Sequence, residues 1–227
     1  MLLVIPDVLA ANEVVQLRAL IDAGPWVDGR VTAGSQSGGV KHNAQLEASS
    51  PQARQASDFV LDALAKSAAF VSAALPLKTF PPLFNRYETG AHFGVHIDNA
   101  IRPVAGSAVR IRTDLSATLF LSEPDSYEGG ELVIETSFGA QAIKLPAGHL
   151  VLYPASSLHE VTPVTQGARV ASFFWVQSMV RDEQARTLLY DFDQSIQALT
   201  HTLGNQNAEV VRLTGLYHNL IRRWGEC

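Results

Sequence analysis

The sequence predicts a mainly β, α+β fold, in which an antiparallel jelly roll or barrel is flanked by helices. Apolar residues change from helical spacing to alternation near residue 77, and they return to helical spacing near residue 179. The apolar runs between these points are short and have no helical run among them, which is typical of antiparallel double sheets. We therefore expect an N-terminal helical support region (1–76), a core (77–178) and a C-terminal helical appendage (179–227).

Two helices are predicted in the N-terminal region. The first spans 11–23 and ends before Gly24-Pro25. The second starts from a cap at Ser50, and its apolar stripe is predicted to run as far as Leu75. Between them, residues 31–46 ("VTAGSQSGGVKHNAQL") have the composition of a mobile loop. Such a loop either closes over a site as a lid or simply connects two elements at the surface.

The core and the tail are predicted from the same spacing rules. The expected strands lie at 80–87, 92–98, 115–121, 131–136, 141–145, 149–153, 159–164 and 169–177. Beyond the core, helical spacing returns at Leu188, Phe192, Ile196, Leu199 and Leu203, and then at Leu213, Tyr217, Leu220, Ile221 and Trp224. We expect these tail helices to pack on the core or on a second subunit.

Composition narrows the class of partner and the compartment. The net charge of −5 is spread without long runs of like charge, so we expect neither nucleic-acid nor membrane binding. Cys227 is the single cysteine and cannot form an internal disulfide, which fits a reducing compartment. The N-terminal segment lacks the features of a leader, and no apolar run approaches the ~20 residues of a membrane span. We expect a cytoplasmic protein that acts on small molecules or proteins.

The stretch "HFGVHIDNA" (92–100) carries the first candidate metal ligands. Side chains two apart on a strand point to one face, so His96 and Asp98 converge. His92 joins them only if the strand stays regular through Gly94, where a bulge is permitted. An HxD pair alone is weak evidence for a metal, because a surface or hydrogen-bonded strand is the usual explanation.

A second cluster lies more than sixty residues later. His159 follows an apolar strand and a Pro-Ala-Ser-Ser turn, at a place where a side chain can emerge at the end of a barrel. Arg169, ten residues further on, begins an otherwise apolar strand. If Arg169 points inward, it needs an anion or a buried partner. A structural partner would be a carboxylate on a neighbouring strand, with Glu131, Glu135 and Asp114 as the candidates.

Two histidines and one carboxylate supply the facial ligand set of non-haem Fe(II) oxygenases. Zinc accepts the same ligands, which leaves a hydrolytic metal site as an alternative. A 2-oxo acid can chelate iron, and its far carboxylate suits a bidentate guanidinium such as that of Arg169.

At these residues the sequence resembles a known family. The segments "RYETGAHFGVHID", "YEGGELVIE" and "AGHLVLYPASSLHEVTPVTQGARVASFFWVQS", with the helical tail, are similar to the PKHD-type hydroxylases. These are bacterial relatives of prolyl 4-hydroxylase in the Fe(II)/2-oxoglutarate dioxygenase superfamily. The resemblance implies a double-stranded β-helix core with His96, Asp98 and His159 as iron ligands and Arg169 as the 2-oxoglutarate anchor.

The resemblance implies further roles. Tyr87, nine residues before His96, matches a tyrosine that hydrogen-bonds the cosubstrate in related enzymes. Many relatives have lysine in place of Arg169, so the ion pair carries over and its geometry does not. The implied reaction consumes dioxygen, releases succinate and CO2 and hydroxylates a peptidyl, amino-acid-like or siderophore-related substrate. L-ascorbate (vitamin C) is the implied reductant, and no catalytic residue is expected beyond the metal and cosubstrate ligands.

Other readings stay open. A zinc-dependent hydrolase could use the same three ligands, and a non-catalytic jelly-roll binding module could use the histidines structurally. Arg110, Arg112 and Asp114 either form a structural ion-pair group or lie at a substrate-facing rim. The tail helices could mediate a homodimer or cover one end of the core.

Overall fold

The computed structural model describes residues 1–32 and 37–227. Its longer helices are α1 (Ala11–Asp22), α2 (Pro51–Lys66), α3 (Ala68–Ala74), α4 (Glu183–Leu203) and α5 (Ala208–Trp224). Short 3-10 turns lie at Gly29–Thr32, Ser37–Val40 and Pro124–Ser126. None of the described helices is long and apolar enough to cross a membrane.

The strands of the N-terminal region are β1 (Leu3–Ile5), β2 (Trp26–Asp28), β3 (Lys41–His42) and β4 (Ala44–Leu46). Those of the core are β5 (Pro76–Thr79), β6 (Leu83–Glu88), β7 (His92–His96), β8 (Ile101–Pro103), β9 (Arg110–Arg112), β10 (Leu115–Phe120), β11 (Tyr127–Gly129), β12 (Leu132–Thr136), β13 (Gly139–Ile143), β14 (Leu150–Pro154), β15 (His159–Val161) and β16 (Val164–Ser178). Each run predicted as a strand overlaps one of these strands, whereas β5, β8, β9 and β11 were not predicted.

The strands form two main antiparallel sheets and a hairpin. The larger sheet has the order β1-β14-β10-β16-β6-β4-β2, with β5 and β11 also paired to β16. The smaller sheet has the order β13-β12-β15-β7-β3, and β8 pairs with β9. This antiparallel two-sheet core with flanking helices confirms the predicted fold class.

Alternation along the strands of the larger sheet separates two apolar layers. Phe120 and Val151 point towards the smaller sheet, where they pack with Leu132 and Val161. The intervening residues of the same strands, such as Leu119, pack against the N-terminal helices on the other face. The larger sheet is therefore buried on both faces, and the space between the two sheets is available for a pocket.

The second predicted helix is interrupted in the structure. Ser50 caps α2 as expected, because its hydroxyl accepts a hydrogen bond from the Ala53 N–H. Ser67, however, ends α2 and caps α3 by accepting from the Phe70 N–H. The break rotates the apolar face, so that Phe70 is buried and Val71 is 40% exposed. The single stripe predicted as far as Leu75 was therefore wrong at Ala68 and Val71, which are exposed, whereas Leu75 is buried.

The segment predicted as a mobile loop is partly strand. Residues 33–36 lie outside the described residues, so the prediction of a loop or lid cannot be followed there. Within the described part, β3 pairs with β7, and β4 pairs with β2 and β6. The loop prediction is wrong for 41–46, because pairing with strands distant in the chain outweighs local Gly and Ser content.

The two tail helices form a hairpin that packs on the same chain. A cluster that includes Leu75, Leu189 and Tyr217 joins α4 and α5 to the end of α3. The Met179 N–H donates to the Leu75 carbonyl at 2.7 Å, and the Glu226 N–H donates to the Met179 carbonyl at 2.8 Å. Ile196 is buried as predicted, but Leu188, Leu199 and Leu203 are exposed.

Candidate metal centre

His96 and His159 lie opposite each other on neighbouring strands of the smaller sheet. They are register partners of β7 and β15, and their ring centroids are 4.2 Å apart. Asp98 follows the end of β7, and its Oδ2 lies 3.7 Å from His159 Nε2. One ligand atom from each of the three residues lies within 4.8 Å of the other two. The structure therefore brings together the three residues that the sequence singled out.

Hydrogen bonds orient each of these side chains. The Nδ1 atoms of His96 and His159 lie 2.8 Å from the Gly94 carbonyl and 3.0 Å from the Ser157 carbonyl. A carbonyl only accepts, so each Nδ1 carries a proton, and Nε2 is the ring nitrogen left to face a metal. The Ser116 hydroxyl donates to Asp98 Oδ2 at 2.6 Å. Partners of this kind fix the tautomer and the ring orientation of metal-binding histidines.

The surroundings of His96 favour its neutral imidazole. Burial, with a smaller contribution from the nearby His159, lowers the pKa of His96 to about 4. At neutral pH the His96 ring is therefore uncharged, which is the form that coordinates a metal. Two imidazole nitrogens and one carboxylate oxygen suit Fe(II), and they also suit zinc. The donor set fits a divalent metal ion.

Arg169 is a buried cation in the same pocket. It is 1% exposed, and its Nε and Nη1 have no hydrogen-bond partner among the described residues. Its guanidinium carbon lies 5.4 Å from the Tyr87 ring centre and 5.2 Å from that of Phe120. Unpartnered charge of this kind is costly to bury. An anionic ligand in the pocket would satisfy it.

The carboxylates that could have paired with Arg169 are engaged elsewhere or lie at the surface. Asp114 binds Arg112 at 2.7 Å, and Glu131 accepts a hydrogen bond from the Thr162 hydroxyl. Glu135 is exposed. The sequence allowed Arg169 to pair with a carboxylate on a neighbouring strand. No such ion pair is present among the described residues.

Tyr87 lies next to Arg169 across the β6–β16 ladder and lines the pocket. It is almost fully buried, and burial raises its pKa to about 12. Its hydroxyl therefore keeps its proton at neutral pH and can donate to a carboxylate.

Several lining residues were missed by the sequence reasoning. Ser116 and Thr118 are polar positions two apart on the otherwise apolar β10, and this alternation was a usable signal. Asn85 is buried, and its Oδ1 has no hydrogen-bond partner within the described part of the chain. Lys41 and Arg102 also line the pocket. No local pattern marks these two, because β3 and the β8–β9 hairpin are placed by contacts distant in sequence.

Other candidates lie outside the pocket. Arg112 pairs with Asp114 and with Glu226, so these residues form an ion-pair group outside the pocket, and Arg110 is exposed. His92 lies against His42, with ring centres 4.7 Å apart, and does not join the cluster.

Comparisons with known proteins find matches in two stretches of the chain. Residues 82–177 match the 2OG-Fe(II) oxygenase superfamily, and residues 182–226 match the PKHD-type hydroxylase C-terminal domain. A PKHD-type hydroxylase of Methylobacillus flagellatus is 61% identical over 226 residues, and one of Burkholderia thailandensis is 59% identical over the same length. In both cases the match covers 100% of each chain.

Solved structures share the fold at low identity. A Pseudomonas putida prolyl-4-hydroxylase is 21% identical with a TM-score of 0.51, and the match covers 78% of this chain and 92% of that one. A Trichoplax adhaerens prolyl hydroxylase is 16% identical with a TM-score of 0.57, covering 82% and 86%. Full-length identity near 60% to curated relatives shows the family. This chain belongs to the PKHD-type hydroxylases of the 2OG-Fe(II) oxygenase superfamily.

Proposed function

We propose that this protein uses Fe(II), 2-oxoglutarate and dioxygen to hydroxylate a small-molecule or peptidyl substrate, with release of succinate and CO2. One observation carries the proposal: the His96, Asp98 and His159 cluster shares a pocket with the buried guanidinium of Arg169, whose Nε and Nη1 have no partner among the described residues. A metal site and an anion site in one cavity match the needs of a chelating cosubstrate.

In this proposal His96 and His159 would bind iron through Nε2, and Asp98 would bind it through a carboxylate oxygen. The carbonyls of Gly94 and Ser157 hold the two rings in the required tautomer. Iron(II) and 2-oxoglutarate together supply the dioxygen activation that hydroxylation of a C–H bond requires. The protein's own part is to hold these ligands in place in a largely buried site.

Arg169 and Tyr87 form the proposed cosubstrate end of the pocket. Arg169 would pair with the distal carboxylate of 2-oxoglutarate, which removes the cost of its burial. Tyr87 would donate its hydroxyl proton to the same molecule, because its raised pKa keeps it protonated. Phe173 and Trp175 lie on the same strand as Arg169 and line the pocket, where they would exclude water.

A zinc hydrolase is less well supported by the same residues. Asp98 is the only carboxylate among the described residues that line the pocket, and it belongs to the ligand cluster. A hydrolase would need a further base for its metal-bound water. It would also leave Arg169 without a role.

Three further features belong to the proposal. Use of ascorbate as reductant is supported by family resemblance. A cytoplasmic location is supported by the single cysteine, Cys227. A homodimer formed through the tail helices is supported by apolar side chains that α4 and α5 leave exposed, namely Leu188, Leu199, Leu203, Val211 and Leu216.

The test uses protein loaded with Fe(II) and then 2-oxoglutarate under anaerobic conditions. Wild type should develop a visible charge-transfer band and should release succinate when air is admitted. Asp98→Ala should lose both signals, because one metal ligand is gone. Arg169→Ala should need at least about thirtyfold more 2-oxoglutarate than wild type to form the band, because removing one partner of a buried charge pair weakens binding by at least this factor.

Exposed residues of the same types provide matched controls. Asp125 and Arg181 are exposed and lie outside the pocket. The variants Asp125→Ala and Arg181→Ala should therefore behave as wild type. Full 2-oxoglutarate decarboxylation by Asp98→Ala would overturn the ligand assignment. An unchanged 2-oxoglutarate requirement in Arg169→Ala would overturn the anchor, and absence of the band in wild type would overturn the oxygenase.

A further inference from the structure

The pocket lining has more positive charge than the cosubstrate needs. Among the described residues it contains three cations, Lys41, Arg102 and Arg169, and one carboxylate, Asp98. The four residues outside the described ranges, 33–36, are Ala, Gly, Ser and Gln and contribute no charge. In the proposed function Asp98 binds the metal and Arg169 binds 2-oxoglutarate. Two cations, Lys41 and Arg102, then have no assigned role in the reaction.

Lys41 is held deep in the pocket wall. It is 3% exposed, and its Nζ donates to Gln45 Oε1 at 3.1 Å. Its ammonium lies 5.3 Å from the ring centre of Phe93 and 5.6 Å from that of Phe173. Lysine is rarely buried to this extent, because desolvation of its charge is costly. A ligand that brings negative charge would offset that cost.

Arg102 projects from the β8–β9 hairpin over the aromatic side of the pocket. Its guanidinium carbon lies 3.8 Å from the ring centre of Trp175 and 5.4 Å from that of Phe80. A contact of this kind restricts the guanidinium to the space beside the Trp175 ring. Arginine held in this way is suited to bidentate recognition of a carboxylate or phosphate.

These two cations are connected to the metal cluster through a continuous series of rings. His96 stacks on Phe93 at 3.6 Å, Lys41 lies over Phe93 and Phe173, and Phe173 contacts Trp175 edge-on at 5.6 Å. Arg102 then lies over Trp175. Lys41 and Arg102 are close enough for the charge of Arg102 to lower the pKa of Lys41. Both therefore border the space next to the metal ligands.

We infer that Lys41 and Arg102 form an oxyanion subsite for the substrate that is hydroxylated, with Phe173 and Trp175 as the apolar surface beside it. The inference rests on the proposed function and specifies its substrate class. The substrate carries a carboxylate or phosphate group and an apolar group that contacts these rings. Its anionic end binds to Lys41 and Arg102, which places the neighbouring C–H bonds near the metal ligands.

The test uses three probes with one aromatic ring each: phenylacetate, phenyl phosphate and the neutral phenylacetamide. Each is titrated into protein loaded with Fe(II) and saturating 2-oxoglutarate under anaerobic conditions, and the shift of the charge-transfer band is followed. Wild type should bind at least one anionic probe about tenfold more tightly than the amide. The ratio of the affinities for phenylacetate and phenyl phosphate shows whether the subsite prefers a carboxylate or a phosphate.

Variants test the two cations directly. Lys41→Met and Arg102→Gln should each keep the band and lose about tenfold in affinity for the preferred anion, while binding of the amide stays the same. Lys41→Arg should restore much of the affinity, because it keeps the charge. Arg110→Gln, an exposed arginine on the same hairpin, and Lys78→Met, an exposed lysine on β5, are the matched controls and should behave as wild type.

The outcomes separate this inference from the proposed function. If wild type forms no band, the oxygenase proposal fails and the subsite fails with it. If the band forms but amide and anions bind equally, or the variants bind the anions as wild type does, the subsite alone is overturned. If Lys41→Met raises the 2-oxoglutarate requirement and spares the probes, Lys41 belongs to the cosubstrate site and the inference is wrong.

Discussion

Ser116 is the residue that ties the larger sheet to the metal centre. Its hydroxyl donates to Asp98 Oδ2 from β10, whereas Asp98 itself follows β7 of the smaller sheet. A short hydrogen bond to a carboxylate restricts its rotation and keeps it directed at the two histidines. The position of one metal ligand therefore depends on how the two sheets are packed.

Replacing this hydroxyl should weaken metal binding without unfolding the protein. In Ser116→Ala we expect the apparent Fe(II) affinity to fall about tenfold to hundredfold, the usual effect of removing such a partner. Titration of succinate release against Fe(II) measures it. Ser57→Ala, which removes another buried hydroxyl in α2, is the control. An Fe(II) requirement in Ser116→Ala equal to that of wild type would contradict the prediction.

Lys41 should make stability depend on pH. Burial, with repulsion from Arg102, lowers its pKa from 10.5 to about 8, although Asp98 and Asp28 act in the opposite direction. Between these values the unfolded chain holds a proton that the folded protein has lost. Stability should therefore rise with pH across this window, by at most about 1.4 kcal/mol per pH unit.

Urea unfolding of metal-free protein at pH 7.5, 8.5 and 9.5 shows whether the free energy of unfolding rises or falls with pH. The pH values are about one unit apart, so the change per pH unit can be measured. Lys41→Met has no group to titrate, so its unfolding free energy should lack this rise. All other titrating groups are common to the two proteins, and the difference between them isolates Lys41. A wild-type free energy of unfolding that does not rise relative to that of Lys41→Met between pH 8.5 and 9.5 would contradict the prediction.

At the scale of elements, the α2–α3 break shows how one side chain redirects a helix. Apolar residues continue at helical spacing from Val60 through Ala68, but Ser67 provides a cap for a new helix. The Ser67 backbone is extended, so the side chains of α3 point in directions that do not continue those of α2. The apolar stripe is correct within α2 and out of phase within α3.

The cap at the other end of α2 provides a test of the same principle. Ser50→Ala removes the acceptor for the Ala53 N–H, so the free energy of unfolding should fall by about 1 kcal/mol. The adjacent Ser49→Ala is the matched control, because its exposed hydroxyl bonds only the Glu47 carboxylate among the described residues. Thermal or urea unfolding compares the two, and equal losses would rule out a specific capping effect.

At the scale of the whole molecule, the tail helices provide a test of assembly. If the proposed homodimer forms, wild type should sediment at twice the chain mass of 24.5 kDa. Paired Leu199→Glu and Leu203→Glu replacements should return it to a monomer by placing charge on the exposed face. Phe138→Glu is the control, because Phe138 is an exposed apolar side chain on the β12–β13 turn, away from the tail helices. The protein with this replacement should remain a dimer. Wild type that sediments at the single chain mass would exclude the dimer.

The amino-acid sequence by itself located eight of the twelve core strands, and it singled out His96, Asp98, His159 and Arg169. These predictions succeed because spacing, turn residues and side-chain chemistry are local properties that can be read along one segment. The alternation of Arg169 with Phe173 and Trp175, for example, already placed all three on one face.

Only the tertiary structure decided which residues meet. It placed Lys41 against Phe93 and Phe173, joined Ser116 to Asp98 and directed Arg102 onto Trp175. Each of these contacts depends on the pairing register of strands, or on the placement of a hairpin, from distant parts of the chain. Register is set by the packing of both sheet faces together rather than by any local pattern, so the composition of the pocket could not be read from one segment at a time.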